Sequence, residues 1–181
     1  RVRVGYFSAD FHDHATMFLI SGLLREHNTK NFEIFAYSYG SVKSGYWRTL
    51  AERNIENFFD VEAFSNQDIC DLVKSHFLDI AIDLKGYTRN TRSEIFQHRL
   101  APIQINYLGY PSSMGANFID YIISDQVVIP EKKKKFYSEK VICLPDSYMP
   151  NDNARNISQI TTSRRDFRLP EDSFVFCCFN N

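Results

Sequence analysis

Four titratable side chains fall within five residues near the start of the chain: Asp10, His12, Asp13 and His14. A carboxylate beside an imidazole of near-neutral pKa can orient a hydroxyl and handle its proton, and Asp10 with His14 are the candidates for that work. Further along, Lys85-Gly-Tyr-Thr-Arg89-Asn-Thr-Arg92 brings cations and hydroxyls. The segment Gly109 to Gly115 offers backbone N–H groups, and its glycines let a backbone come close to a ligand. Together these groups suit transfer chemistry on a phosphorylated or polyhydroxylated substrate. Two other readings of the first loop stay open. In one, Asp10 and Asp13 cap the following helix and the histidines are surface groups. In the other, His12-x-His14 joins Asp10 or Asp13 around a metal, as in barrel metallohydrolases. That barrel needs about 250 residues. No later His or Cys sits at a strand end: His76 and His98 fall on expected helices, and His27, near a helix end, suits the helix dipole. A nicotinamide site lacks support, because no G-x-G-x-x-G follows the first strand.

Strands and helices must bring these loops together. Val2, Val4, Tyr6 and Phe7 read as a buried strand. From Thr16, a plausible N-cap, the apolar spacing of Met17, Leu19, Ile20, Leu23 and Leu24 predicts a helix. Phe32–Tyr39 is a second strand, Tyr46, Trp47 and Leu50 mark a second helix, and Phe58–Val61 is a short third strand. Ser65 with Asp68 three residues on caps another helix. Strands follow at Asp79–Leu84, Ile103–Leu108, Asp120–Ser124 and Val141–Leu144, with a short helix from Ser93. Strands alternating with helices at this spacing predict an α/β fold, a doubly wound, mostly parallel sheet. Ligands of such sheets bind outside the carboxyl ends of the strands, so the loops after Val2–Phe7, Asp79–Leu84 and Ile103–Leu108 should converge at one edge. Residues 1–149 form this lobe, 150–166 a polar connector, and 167–181 the first strand of a second lobe, at Phe174–Phe179.

The chain of 181 residues is 44% hydrophobic and 15% aromatic, enough for a substantial core. A net charge of −1 and a pI near 6.6 argue against nucleic acid or membrane partners, and Lys132–Lys135 reads as a solvated basic run. Cys70, Cys143, Cys177 and Cys178 make no C-x-x-C pair and read as reduced, mostly buried thiols of a cytoplasmic protein. The chain starts without Met and almost directly on a strand, which is expected of a piece of something longer.

Several stretches in order resemble the O-GlcNAc transferase / SPINDLY family of protein O-glycosyltransferases. They are RVGYFSADFHDHAT from Arg3, KGYTRNTRSEIF from Lys85, RLAPIQINYLGYPSSMG from Arg99, DYIISD from Asp120, YSEK from Tyr137 and LPEDSFVFCCFN from Leu169. The short stretch near residues 150–165 is similar to bacterial members. The resemblance implies a Rossmann-like lobe, the first half of a GT-B fold, with tetratricopeptide (TPR) repeats upstream and a second catalytic lobe downstream. It implies inverting transfer to Ser or Thr hydroxyls of a protein acceptor, of GlcNAc from UDP-GlcNAc or, in the plant branch, of fucose from GDP-fucose, with no essential metal or cofactor. Carried over by motif, Asp10 and His14 face the sugar and the acceptor hydroxyl, with His14 as candidate base poised by Asp10. Thr16 lies by the sugar, Leu108 and Gly109 line its pocket, and Arg89 matches a basic position nearby. The family often has H-P-T-S-H where this chain has His14-Ala-Thr-Met-Phe18, and Phe18 is nearer the SPINDLY branch. The groups that hold the diphosphate belong to the second lobe, so the piece itself is expected to be inactive. A non-catalytic sugar-nucleotide- or protein-binding lobe is the competing class, and a metal-dependent hydrolase the third.

Overall fold

Both faces of the central strands are buried, and period-two alternation sends neighbouring side chains into two separate cores. In the computed structural model, which describes residues 1–178, seven strands form one all-parallel sheet. They are β1 (Val2–Ser8), β2 (Phe32–Ser38), β3 (Asn57–Asp60), β4 (Ile80–Asp83), β5 (Ile103–Asn106), β6 (Tyr121–Asp125) and β7 (Lys140–Leu144). Val4, Tyr6, Ile34 and Ala36 meet helices α1 (Ala15–Glu26) and α2 (Tyr46–Asn54), through Met17, Ile20, Leu24 and Ala51. Phe7, Phe35, Tyr37 and Ala81 meet helix α3 (Asn66–Ser75) and a 3₁₀ helix at Ser93–His98, through Ile69, Val73, Ile95 and Phe96. The sheet is therefore doubly wound, as expected. The α3 cap forms as its sequence requires, with Ser65 and Asp68 in a reciprocal capping box.

Spatial order runs β3-β2-β1-β4-β5-β6-β7. The chain winds outward from β1 to β3, then returns to start β4 on the other side of β1. That reversal opens a crevice between the β1 and β4 loops, the place where sheets of this class bind ligands.

Six strands end on a polar residue that ties down the loop or helix beyond it. Ser8 Oγ accepts the Asp10 N–H, Ser38 Oγ the Arg48 guanidinium, and Asp60 the Glu62 N–H together with Arg48. Asp83 accepts the N–H groups of Lys85 and Gly86, and Asp125 those of Val127, Val128 and Tyr148. Asn106 donates to the carbonyls of Tyr110 and Ser112. A buried side chain of this kind needs a partner, and a backbone leaving a sheet supplies one.

Three expectations fail here. Thr16 is not the N-cap of α1: His14 is extended (φ −146°, ψ 151°), and its Nδ1 accepts the Thr16 N–H at 3.2 Å, while Thr16 is already helical. Phe174–Cys178 forms no strand; Phe179 lies outside the described residues. A strand needs a hydrogen-bonded neighbour, and these residues pair with none of the described ones; Phe174 and Phe176 stay exposed. Cys177 and Cys178 are exposed for the same reason, leaving Cys70 buried and Cys143 half-buried. The connector is also less free than its polarity implies. Asp152 binds Arg25 and Ser21 on α1, and a Cβ on Gly22 would lie 2.9 Å from the Asp152 Cα. Among the described residues, no helix is long and apolar enough to cross a membrane.

Two histidines outside the crevice link the fold to pH. The Tyr6 hydroxyl lies 2.9 Å from His27 Nε2, and the Tyr37 hydroxyl 2.7 Å from His76 Nδ1. Burial raises both phenols, which stay neutral, and it lowers both imidazoles, which favours their neutral form. Burial also lowers His14. Lowered folded-state values mean that the unfolded chain takes up protons first on acidification. Stability is therefore expected to fall as the pH drops through the ordinary histidine value of 6.5 toward the folded values. Urea midpoints at about pH 7.5 and about pH 5.5 check this, and the lower pH should give the lower midpoint.

Candidate functional site

The crevice is built by loops that touch through glycines. A Cβ on Gly40, after β2, would lie 2.0 Å from the carbonyl oxygen of Ala9, after β1. A Cβ on Gly109 would lie 2.0 Å from the Leu84 carbonyl oxygen, and one on Gly86 (φ +52°) 2.4 Å from Tyr110 Cβ. The absent Cβ of Gly109 thus admits protein backbone; the expected close approach is made by the β4 loop. Leu108, buried beside it, has φ +73°, and the Gly109 N–H donates to Tyr107 O at 2.9 Å across it, a γ-turn. A leucine in that conformation costs about 1–3 kcal/mol, strain of the kind that gathers at functional sites.

At the centre of the crevice lies an ion pair that the sequence did not announce. Lys85 Nζ donates to Asp10 Oδ2 at 2.7 Å, and both residues are buried, at 5% and 6% exposure. Its signal was present, a lysine two residues beyond strand-ending Asp83, but only the topology sets it against Asp10. Asp83, fully buried, positions it: Oδ1 accepts the Lys85 and Gly86 N–H groups at 2.8 and 3.0 Å, and Oδ2 accepts Ser93 Oγ. Burial pushes the Asp83 carboxyl above the usual carboxylate range, opposed by those hydrogen bonds and by the Lys85 charge.

His14 Nδ1 stands 3.4 Å from Asp10 Oδ2, but its hydrogen bond is with the Thr16 N–H. The imidazole is held below its ordinary pKa, chiefly by desolvation; Asp10 opposes this, while Lys85 and His12 add to it. His14 is part-exposed, and its ring meets His12 edge-on at 5.7 Å. Asp13 caps α2 instead of α1, accepting the Trp47 N–H at 3.4 Å. Thr16 is buried behind His14.

The structure therefore places Asp10, His14, Thr16, Leu108 and Gly109 along one contiguous wall, with Lys85 at its middle. Arg89 is exposed on the β4 loop and makes no hydrogen bond or ion pair among the described residues. Arg92 turns away, bound to Asn66 and to the carbonyls of Val61 and Phe64. Phe18 packs on Trp47 at 4.9 Å, with the Arg155 guanidinium over both rings. Among the described residues no group of three or more His, Cys, Asp or Glu is placed to hold a metal, and Lys85 occupies the carboxylate that such a site would need.

A parallel, doubly wound sheet whose order reverses between β1 and β4 defines a Rossmann-like lobe, with an ion pair and an imidazole at its switch point. The model of Glycosyl transferase family 41 matches residues 1–160, and the chain belongs to that family. It is 37% identical to "Probable UDP-N-acetylglucosamine--peptide N-acetylglucosaminyltransferase SEC" of Arabidopsis thaliana over 99% of this chain and 19% of that protein. It is 33% identical to the UDP-N-acetylglucosamine--peptide N-acetylglucosaminyltransferase of Caenorhabditis elegans over 89% of this chain and 14% of that one. A mutant form of the Thermobaculum terrenum O-GlcNAc transferase superposes with a TM-score of 0.80 at 25% identity, covering 83% of this chain and 29% of that chain. The chain thus spans less than a fifth of these two curated relatives and under a third of that solved structure.

Proposed function

We propose that this chain is the sugar-facing lobe of a two-lobed, GT-B protein O-glycosyltransferase that transfers GlcNAc from UDP-GlcNAc to Ser or Thr hydroxyls. The observation that carries this reading is the Lys85–Asp10–His14 wall at the switch point of a family 41 lobe. The acceptor oxygen attacks the anomeric carbon from the face opposite the nucleotide. The bond to the diphosphate breaks with its electron pair on the departing oxygen, the hydroxyl proton passes to water, and attack from the opposite face inverts the configuration. His14 and Thr16 lie by the sugar, Leu108 and Gly109 line its pocket, and Arg89 is a rim cation. The diphosphate cradle belongs to a second lobe and acceptor selection to TPR repeats of a cytoplasmic parent. This lobe alone should therefore bind nucleotide weakly and turn nothing over. The SEC relative (37% identity) and the SPINDLY relative from petunia (27%) both carry UDP-N-acetylglucosamine in their names, which supports UDP-GlcNAc; Phe18 is the feature that speaks for GDP-fucose.

Calorimetric titration of the parent protein with UDP-GlcNAc and GDP-fucose tests the donor, and only the former should bind. His14→Asn keeps a side-chain acceptor at the N-cap but removes the imidazole that reaches the sugar, so the fold should hold while misplacement of the substrate lowers transfer at least ~100-fold. Unchanged turnover would remove His14 from the site. Low-micromolar UDP-GlcNAc binding by the 181-residue chain itself would show that the diphosphate is held on this lobe.

A further inference from the structure

Asp10 faces two possible partners, and the distances separate them. Lys85 Nζ is at 2.7 Å in a buried contact, whereas His14 Nδ1 is at 3.4 Å and does not donate to it. Nδ1 has a single lone pair, and the Thr16 N–H at the helix start uses it. A ring nitrogen that accepts cannot also carry a proton to give to Asp10. In a carboxylate–imidazole dyad the arrangement is reversed: Nδ1–H points at the carboxylate and Nε2 is the free base.

We propose that Lys85 is a positioning residue that acts through Asp10: by taking up the Asp10 charge it leaves His14 with its proton on Nε2, so that the loop offers the ligand a hydrogen-bond donor instead of a base. Resting on the function proposed above, the group it serves is an acceptor oxygen of the nucleotide sugar. Nε2 makes no hydrogen bond among the described residues, and the side chain is 41% exposed, so the donor is available. The charged and titratable groups facing His14 are Asp10, Lys85 and His12, and of these only Asp10 favours the imidazolium. Asp83 holds the backbone from which Lys85 projects, and so aims the cation at Asp10.

Long-range ¹H–¹⁵N spectra of the 181-residue chain, labelled at histidine and assigned with His14→Asn, read the tautomer directly. The expected result at neutral pH is an unprotonated Nδ1 and a protonated Nε2. In Lys85→Met, Asp10 loses its partner and recruits His14, so the proton moves to Nδ1 and the His14 titration rises by about one pH unit. Lys85→Arg should restore the parent pattern. Asp10→Asn should keep the proton on Nε2, because the cap, not the carboxylate, sets it. A protonated Nδ1 in the parent chain overturns the proposal, as does a Lys85→Met spectrum identical to the parent or a flipped tautomer in Asp10→Asn. Should Lys85→Met fail to fold, the polar, neutral Lys85→Gln reads the same change, and an unchanged spectrum there overturns the proposal. All of these readings are made without donor. Failure of the parent protein to bind UDP-GlcNAc would therefore count against the proposed function and leave the tautomer result standing.

Discussion

Asp83→Ala is expected to cost about 3–5 kcal/mol of stability. The carboxylate is fully buried at the end of β4 and serves three donors: the N–H groups of Lys85 and Gly86, and the Ser93 hydroxyl. Alanine leaves all three without it in a dry environment, and each such loss costs roughly 1–3 kcal/mol. The loop that carries Lys85 then has no fixed exit from the sheet, so Asp10 loses its cation as well. Asp83→Asn keeps a carbonyl oxygen for the two backbone donors and should lose markedly less. Denaturation midpoints of the two variants check this. An alanine variant as stable as the parent would mean that the β4 loop is held by something else.

Gly109→Ala is the second substitution with a large expected effect. Its new methyl would lie 2.0 Å from the Leu84 carbonyl oxygen, 3.0 Å from that carbonyl carbon and 3.3 Å from Lys85 Cα. All three are backbone atoms of the β4 loop, which cannot rotate aside as a long side chain would. The loops must separate, at a cost of about 3 kcal/mol, and the movement carries Lys85 away from Asp10. UDP-GlcNAc binding by the parent protein should fall at least ~10-fold, in step with the loss of stability. Gly115→Ala is the control: its φ is +59°, but nothing lies within 4 Å of an added methyl, so only the backbone penalty of about 1–2 kcal/mol remains. Equal effects at the two glycines would show that the contact with Leu84 is not what Gly109 is for.

The core was legible along the chain because burial on two faces imposes a local rule. A strand such as Val2–Ser8 alternates between two apolar layers whatever lies beside it, and α1 shows its apolar stripe without reference to β4. The polar residues that end the strands were less plain: Asp83 and Asn106 fall inside the expected strands Asp79–Leu84 and Ile103–Leu108, and only their hydrogen bonds to residues two to six positions ahead mark them as ends. Caps were harder. Thr16 and His14 are both able to take the first amide of α1, and only the extended backbone at His14 settles which does.

Periodicity and short-range hydrogen bonding specify the alternating elements, the two cores and the loops that carry Asp10, His14 and Gly109, and all of these can be read along the chain. Local pattern could not pair Asp10 with Lys85, which stands 75 residues away, assign Gly109 to Leu84, or leave Arg92 bound to Asn66. Those contacts depend on which strands become neighbours. The reversal of strand order between β1 and β4 makes that choice, and no local pattern encodes it.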